Sequence, residues 1–349
     1  MGVLDDLVRE GQRISGVEIF APDGYSTKAS LAGRGGLPTP MLVVPRMRLD
    51  DVIRRRAVQS GVRFESGVLV TGIERSAHGV VIEGTRLGRS VSLSARIAIV
   101  ATGASTGLLR KFGVLPETPQ MMLAARAYYE NASGVTDRIQ IRFDGVPLPG
   151  YGWVFPLSAS LVNVGVGYFP SGFRARRRPA HSRAAFDAFV RGRSMAGLLE
   201  GARRDQPVRG YPLRVDFPGA PTSGDRVVLV GEAAGLVNPL TGEGIDYALE
   251  SAQIAADHIA GAVLNGGPSR ADLAEYDRLL RGRFERLFTF CRRLRDASLH
   301  ALLLNRLVRV AARREDLKML LVDIVLGQRD VSADMSVKRI VQKAFALIR

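Results

Sequence analysis

A single cysteine, Cys291, occurs in the whole sequence, which excludes a disulfide framework and fits a reducing compartment. Histidine is nearly as scarce. His78, His181, His258 and His300 lie far apart without metal-ligand spacing, so no metal site is expected. No run reaches the roughly 18–20 uncharged apolar residues that a membrane-spanning helix needs. The opening M-G-V-L-D-D-L-V-R-E is acidic and amphipathic, unlike a secretory signal, so a cytoplasmic protein is expected. Internal repeats and low-complexity tracts are absent. So is a G-x-G-x-x-G turn between a strand and a helix. Gly33-Arg34-Gly35-Gly36 lacks the spacing, and Gly165-Val166-Gly167 lacks the third glycine.

What is present is the composition of a folded chain: 46% apolar, 24% charged, mean hydropathy near zero over 349 residues. The net charge is +15, and the basic excess sits in residues 171–214 and 267–349. Nucleic acid is not an expected partner, because no helix-turn-helix, zinc finger or aromatic stacking module accompanies the arginines. Solvated helix faces or an anionic membrane surface account for them instead.

The pattern along the chain reads as follows. A short helix is followed by strands at G-V-E-I-F and G-Y-S-T-K and a Gly/Pro-rich loop over 31–40. A strand, a turn and a helix closed by Gly61 come next, with Leu49, Val52, Ile53 and Ala57 at helical spacing. V-R-F-E, G-V-L-V-T-G-I-E-R, H-G-V-V-I-E and S-V-S-L-S are short alternating runs that predict a three-stranded meander. Ile97–Val100 and the V-V-L-V of 227–230 are continuously apolar, as in strands buried on both faces, and each ends in a loop of small residues. That pattern predicts a parallel sheet with a ligand site at its carboxyl edge. Between them, residues 120–170 read as long antiparallel strands, and after Gly242 the chain reads as helical.

The densest constellation is G-D-R-V-V-L-V-G-E-A-A-G-L-V-N-P-L-T-G-E-G-I-D-Y-A-L-E, residues 224–250. The small residues Gly231, Ala233 and Gly235 let a ligand approach the backbone, and Glu232 can accept hydrogen bonds from a polyol. Past Pro239, the turn Gly242-Glu243-Gly244 opens a helix from about Ile245, whose free N–H groups and positive end favour an anionic ligand. A Gly-rich turn that merely packs tightly is the plain reading of any one of these glycines; the whole string is more specific.

This string resembles the second flavin motif of the geranylgeranyl reductase family, with Glu232 where that family usually has Asp. Two further strings are similar. Arg46 in P-R-M-R-L-D matches an R-x-x-L-D whose arginine contacts the cofactor, and Ala101-Thr102-Gly103 matches an A-T-G loop. The run P-L-P-G-Y-G-W-V-F-P resembles the substrate-cavity motif P-x-x-Y-x-W-x-F-P through Tyr151, Trp153, Phe155 and Pro156, although Leu148 stands where the leading proline belongs. Taken alone, an aromatic stripe at alternate positions is more often ordinary core.

The resemblance, which covers residues 1–265, implies an α/β fold. A Rossmann-like FAD-binding parallel sheet, incomplete because the N-terminal βαβ is absent, would carry an inserted antiparallel β substrate domain and a helical C-terminal tail. The implied divisions are 1–115, 116–215, 216–265 and 266–349. The implied activity is hydride transfer from reduced FAD to a carbon–carbon double bond of a polyprenyl lipid or menaquinone, with NAD(P)H as a possible reductant and Tyr151 and Tyr247 as candidate proton donors. Two alternatives stand beside it. One is an oxygen-activating aromatic monooxygenase or halogenase. The other is a truncated, non-catalytic prenyl-lipid or membrane-binding protein. In the tail, Leu299, Leu303, Leu307 and Val310 fall on one side of a helix and Arg306, Arg309 and Arg313 towards another. Such a helix either rests on an anionic membrane, making the protein peripheral on its inner face, or caps the domain.

Overall fold

Alternation of apolar and polar residues dictates the largest sheet. In the computed structural model, which describes residues 1–31, 41–76, 78–119, 121–170, 181–265, 268–298 and 301–326, Met121–Glu130, Arg138–Arg142, Gly150–Pro156 and Val162–Tyr168 are all strands. They pair antiparallel, with Trp153 opposite both Ile141 and Gly165. Gly16–Phe20 then joins Arg138–Arg142 in parallel, and Ser26–Ser30 follows it antiparallel. These two early strands therefore extend the sheet of residues 120–170. The expected division at 1–115, which assigned them to the nucleotide-binding part, is corrected by that pairing, and the sheet is not purely antiparallel.

Two compact units result. The first holds Met1–Phe64, Leu123–Tyr211 and Asp296–Arg349; the second holds Glu65–Met122 and Pro212–Arg295. In the first unit, one face of the sheet buries Val154, Val162, Val164, Val166 and Tyr168 against Phe186 and Phe189 of the helix Ser182–Val190 and Met195 of the helix Arg193–Leu199. The opposite face buries Val17, Ile19, Ile139 and Ile141 against Val308 of the helix Ala301–Arg313 and Val322 of the helix Glu315–Val325.

The tail thus caps a sheet. Leu303, Leu304 and Val308 are buried while Arg306 and Arg313 are exposed, and Arg309 pairs with Asp23 at 2.6 Å. Leu307 and Val310 are half-buried, and Leu299 lies outside the described residues. Capping thus accounts for Leu303, Leu304 and Val308, while Leu302 on the same helix is 76% exposed. The Gly/Pro loop at 32–40 and the basic stretch 171–180 also lie outside the described residues.

In the second unit Leu69–Ser76, Gly79–Arg86 and Arg89–Ala95 form the expected meander, but V-R-F-E is not a strand. Ala98–Val100 and Val227–Leu229 pair in parallel, with Ser223–Gly224 antiparallel on the far side of Val227–Leu229. Val227, Val228 and Leu229 are buried, whereas Ile99 is 53% exposed. The expectation that both strands are covered on both faces therefore holds only for the second. Tyr276, on the helix Arg270–Ser298, donates its hydroxyl to the Leu229 carbonyl at 2.8 Å and anchors that helix to the sheet. No described helix is long and apolar enough to cross a membrane.

Candidate functional site

The two parallel strands of the second unit end side by side, and the loops that leave them adjoin. Val230 continues the pairing by donating its N–H to the Val100 carbonyl at 3.2 Å. Past that point Gly103 and Gly231 both take left-handed backbone, φ +62° and +57°. A Cβ on Gly103 would lie 3.4 Å from Glu232 Oε2. The loop Ala101-Thr102-Gly103 thus adjoins the Gly231-Glu232 turn at the carboxyl ends of the two strands.

Glycine is required at Gly231 for a second reason. Its Cβ would stand 2.8 Å from Cβ of Ala248 on the helix Ile245–Leu264. Its N–H donates to Ser251 Oγ at 2.9 Å, so the strand end is fastened to that helix. Gly235, also left-handed at φ +78°, approaches Asp216 and the backbone of Phe217.

The approach at Gly235 belongs to a buried network that sequence reasoning missed. Arg214 is fully buried. Its Nε donates to Asp216 Oδ1 at 2.8 Å and its Nη1 to the Ala233 carbonyl, while its backbone N–H donates to Glu232 Oε1 at 2.9 Å. Part of the Glu232 carboxylate is therefore occupied in shaping its own loop. The signal was Arg and Asp two apart in L-R-V-D-F-P, which puts both on one side of an extended segment.

The second loop is closed by Asn238. Its Oδ1 accepts the N–H groups of Leu240 and Thr241 at 2.9 and 3.3 Å, and its own N–H donates to the Glu243 carbonyl at 2.7 Å. Gly242, φ +70°, donates to the Asn238 carbonyl at 2.9 Å, and Pro239 is buried at the loop's start. Gly244 then caps the helix Ile245–Leu264, as the sequence predicts.

Tyr247 is the correction. Only 4% exposed, it accepts a hydrogen bond from Asn238 Nδ2 at 3.2 Å, and its ring meets Phe284 and Phe288 edge-on at 5.8 and 5.1 Å. Burial pushes its hydroxyl well above the ordinary tyrosine value. These contacts make it a core residue that orients Asn238, and they remove it from the list of proton donors.

Arg46, Tyr151, Trp153, Phe155 and Pro156 belong to the first unit. Arg46 opens the helix Arg46–Gln59 and bonds Asp50 at 2.6 Å. Tyr151, Trp153 and Phe155 share one sheet face with ring centroids 5.9 and 6.1 Å apart, and all three are half-buried against the cluster around Ile139 and Ile141. Trp153 lies across Gly165, where any Cβ would come within 2.1 Å of the indole, and donates Nε1–H to Asn163 Oδ1 at 3.3 Å. Pro156 is buried.

Whether a flavin fits the second unit is tested by Glu243. Its Oε2 is buried and has no hydrogen-bond partner. Burial, with the charge of Asp246 adding, pushes its carboxyl up to about 8. A buried polar atom without a partner costs about 1–3 kcal/mol, so its place in a loop of small residues at a helix start suits a polar ligand. Among the described residues no cluster of three or more His, Cys, Asp or Glu could hold a metal ion.

Comparison with known proteins decides the kinship. The chain is 34% identical over 266 residues to the menaquinone reductase of Mycobacterium tuberculosis, a match that covers 72% of this chain and 60% of the relative. The chain is thus similar to reductases named for menaquinone and for geranylgeranyl lipids. Digeranylgeranylglycerophospholipid reductase 1 of Methanosphaera stadtmanae is 26% identical over 275 residues, covering 76% of this chain and 63% of the relative. The match thus spans about 60% of the length of the curated relatives. No family model matches it.

Among solved structures, a geranylgeranyl bacteriochlorophyll reductase-like protein from Thermoplasma acidophilum superposes with a TM-score of 0.78 at 19% identity, covering 99% of this chain and 87% of that one. The myxobacterial chondrochloren halogenase CndH gives 0.67 at 19% identity, covering 96% and 78%. At such identities these two likenesses establish the fold, a mixed α/β architecture with a helical C-terminal region.

Proposed function

We propose that the chain is an FAD-dependent oxidoreductase that reduces carbon–carbon double bonds of a polyprenyl chain, carried on a geranylgeranyl lipid or a menaquinone. The observation that carries this reading is the 34% identity to a menaquinone reductase over 266 residues, which takes in the loop from Gly231 to Ile245. Bound and reduced, FAD supplies the hydride that adds to one alkene carbon, and a proton completes the other.

The chain's own residues supply position. The loop Gly231–Gly235 admits a ring system to the backbone, Ala101, Thr102 and Gly103 flank it, and Glu232 offers acceptor capacity to a ribityl chain. The start of the helix at Gly244 and Ile245 favours the negative charge of a reduced ring. In the first unit, Arg46 is the proposed cofactor-contacting cation. Tyr151, Trp153, Phe155 and Pro156 are the proposed wall for the prenyl chain, with Tyr151 the remaining proton donor. NAD(P)H is the proposed reductant.

Two steps test the reading. First, purified protein is titrated with FAD and its visible spectrum recorded; a stoichiometric flavin band is expected. Second, anaerobic incubation with reduced FAD and menaquinone or a geranylgeranyl lipid should add two hydrogen atoms per double bond by mass spectrometry. Oxygen uptake with a hydroxylated or halogenated product would favour the monooxygenase or halogenase reading. Lipid binding without flavin binding would favour a non-catalytic role.

A further inference from the structure

The proposed cofactor loop contains one group that its hydrogen bonds leave unused. Backbone and side-chain bonds fix the loop from Asn238 to Glu243 on both sides. The Glu243 carbonyl accepts from Asn238 at 2.7 Å, and its N–H donates to Thr241 Oγ1 at 3.3 Å. The Glu243 backbone is therefore pinned within the turn.

Within that frame Oε2 is buried with no hydrogen-bond partner, and among the described residues no lysine or arginine pairs with Glu243. The titratable groups that bear on it are not cationic. Asp246, on the helix that follows, opposes a negative charge there; Tyr247 carries only a neutral hydroxyl at ordinary pH, and Cys291 faces that tyrosine from the helix Arg270–Ser298. Glu250 stands one turn beyond Asp246 and is held by Arg283. An ionised carboxylate in this setting has no counter-charge and has one oxygen shut off from solvent, and both conditions disfavour the charged form.

We propose that Glu243 is held as the neutral carboxylic acid and presents its proton as a hydrogen-bond donor to the flavin bound at this loop. A protonated carboxyl is one of the few side chains that can donate from an acidic position, and the acceptor it suits is a heterocycle that gains negative charge on reduction. The inference deepens the proposed function and rests on it for the identity of the ligand. Protonation also couples binding to pH. If only the acid form accepts the ligand, affinity falls about tenfold for each pH unit above the carboxyl's midpoint.

The raised carboxyl at about 8 puts that midpoint within reach of experiment. Infrared titration of the ligand-free protein reads the proton directly. The wild type should show a carboxylic-acid carbonyl band at pH 7 that disappears with a midpoint near 8 and is missing in Glu243→Gln. FAD affinity, measured by flavin fluorescence between pH 6.5 and 9.5, should fall with rising pH in the wild type. It should stay flat in Glu243→Gln, whose amide still donates, and be weakened at every pH in Glu243→Ala. Melting curves confirm that each variant is folded.

The two readings fail separately. Absence at pH 7 of a carboxylic-acid band that Glu243→Gln removes overturns the neutral acid, and a wild-type affinity independent of pH overturns the donor role. Absence of FAD binding by every variant at every pH overturns the flavin reading and the donor role together, while the infrared titration still decides whether Glu243 keeps its proton.

Discussion

Gly231 combines left-handed backbone with a hydrogen-bonded fastening to the helix behind it, so a methyl group there meets both strain and a 2.8 Å contact with Ala248. Gly231→Ala should cost about 1–3 kcal/mol, visible as a lower melting temperature, and should abolish FAD binding if the loop is the cofactor seat. Glu243 makes a different kind of prediction. Its carboxyl moves from an ordinary 4.5 to about 8 on folding. Below pH 4.5 both folded and unfolded chains hold the proton. Between 4.5 and 8 only the folded chain does, so stability declines with pH by up to roughly 1.4 kcal/mol per unit and then levels off. The melting temperature of Glu243→Gln relative to wild type should therefore rise from pH 5 to pH 8 and change little beyond. A difference that stays constant over that range would show that the carboxyl is not buried as described.

At the scale of elements, the turn after Val227–Leu229 keeps its shape through Arg214, which ties Asp216, Ala233 and Glu232 together. Removing one partner of such a buried pair leaves an uncompensated charge. Arg214→Met should cost about 3–5 kcal/mol, and Arg214→Met with Asp216→Leu less than that, as chemical denaturation would read. The strand Gly150–Pro156 offers a spectroscopic counterpart. Trp153 is the chain's single tryptophan and lies against Gly165. Gly165→Ala should displace the indole, shift its emission and lower stability by roughly 1–3 kcal/mol.

These elements also show what a sequence can reveal. The strand Val162–Tyr168, the meander and the loop Asn238–Gly244 were legible because alternation, small residues and turn chemistry are local signals. The parallel pairing of Gly16–Phe20 with Arg138–Arg142 was not, because nothing in a five-residue strand names a partner more than a hundred residues away. Tyr247 misled for a related reason. Its neighbours in sequence are loop and helix start, but its environment is set by Phe284 and Phe288, which come from another helix. Arg214 and Asp216 were missed because an isolated Arg-x-Asp carries no sign of burial.

At the scale of the whole molecule, one sheet is assembled from distant stretches of chain. Val17 and Ile19, then Ile139 and Ile141, then Val308 and Val322 meet in one cluster. Such separations make closure entropically costly and folding slow. A chain stopped before Ala301 should lose the cover of that face, bind hydrophobic dyes and sediment with aggregates, whereas the full chain should not. During synthesis the ribosome delivers the greasy side of the sheet long before it delivers the lid. For the time needed to add roughly 150 residues, at about 5–20 residues per second, that side must wait in the open or in the care of a chaperone. The yield of this protein in a cell therefore depends on what shields an unfinished sheet as much as on how stable the finished one is.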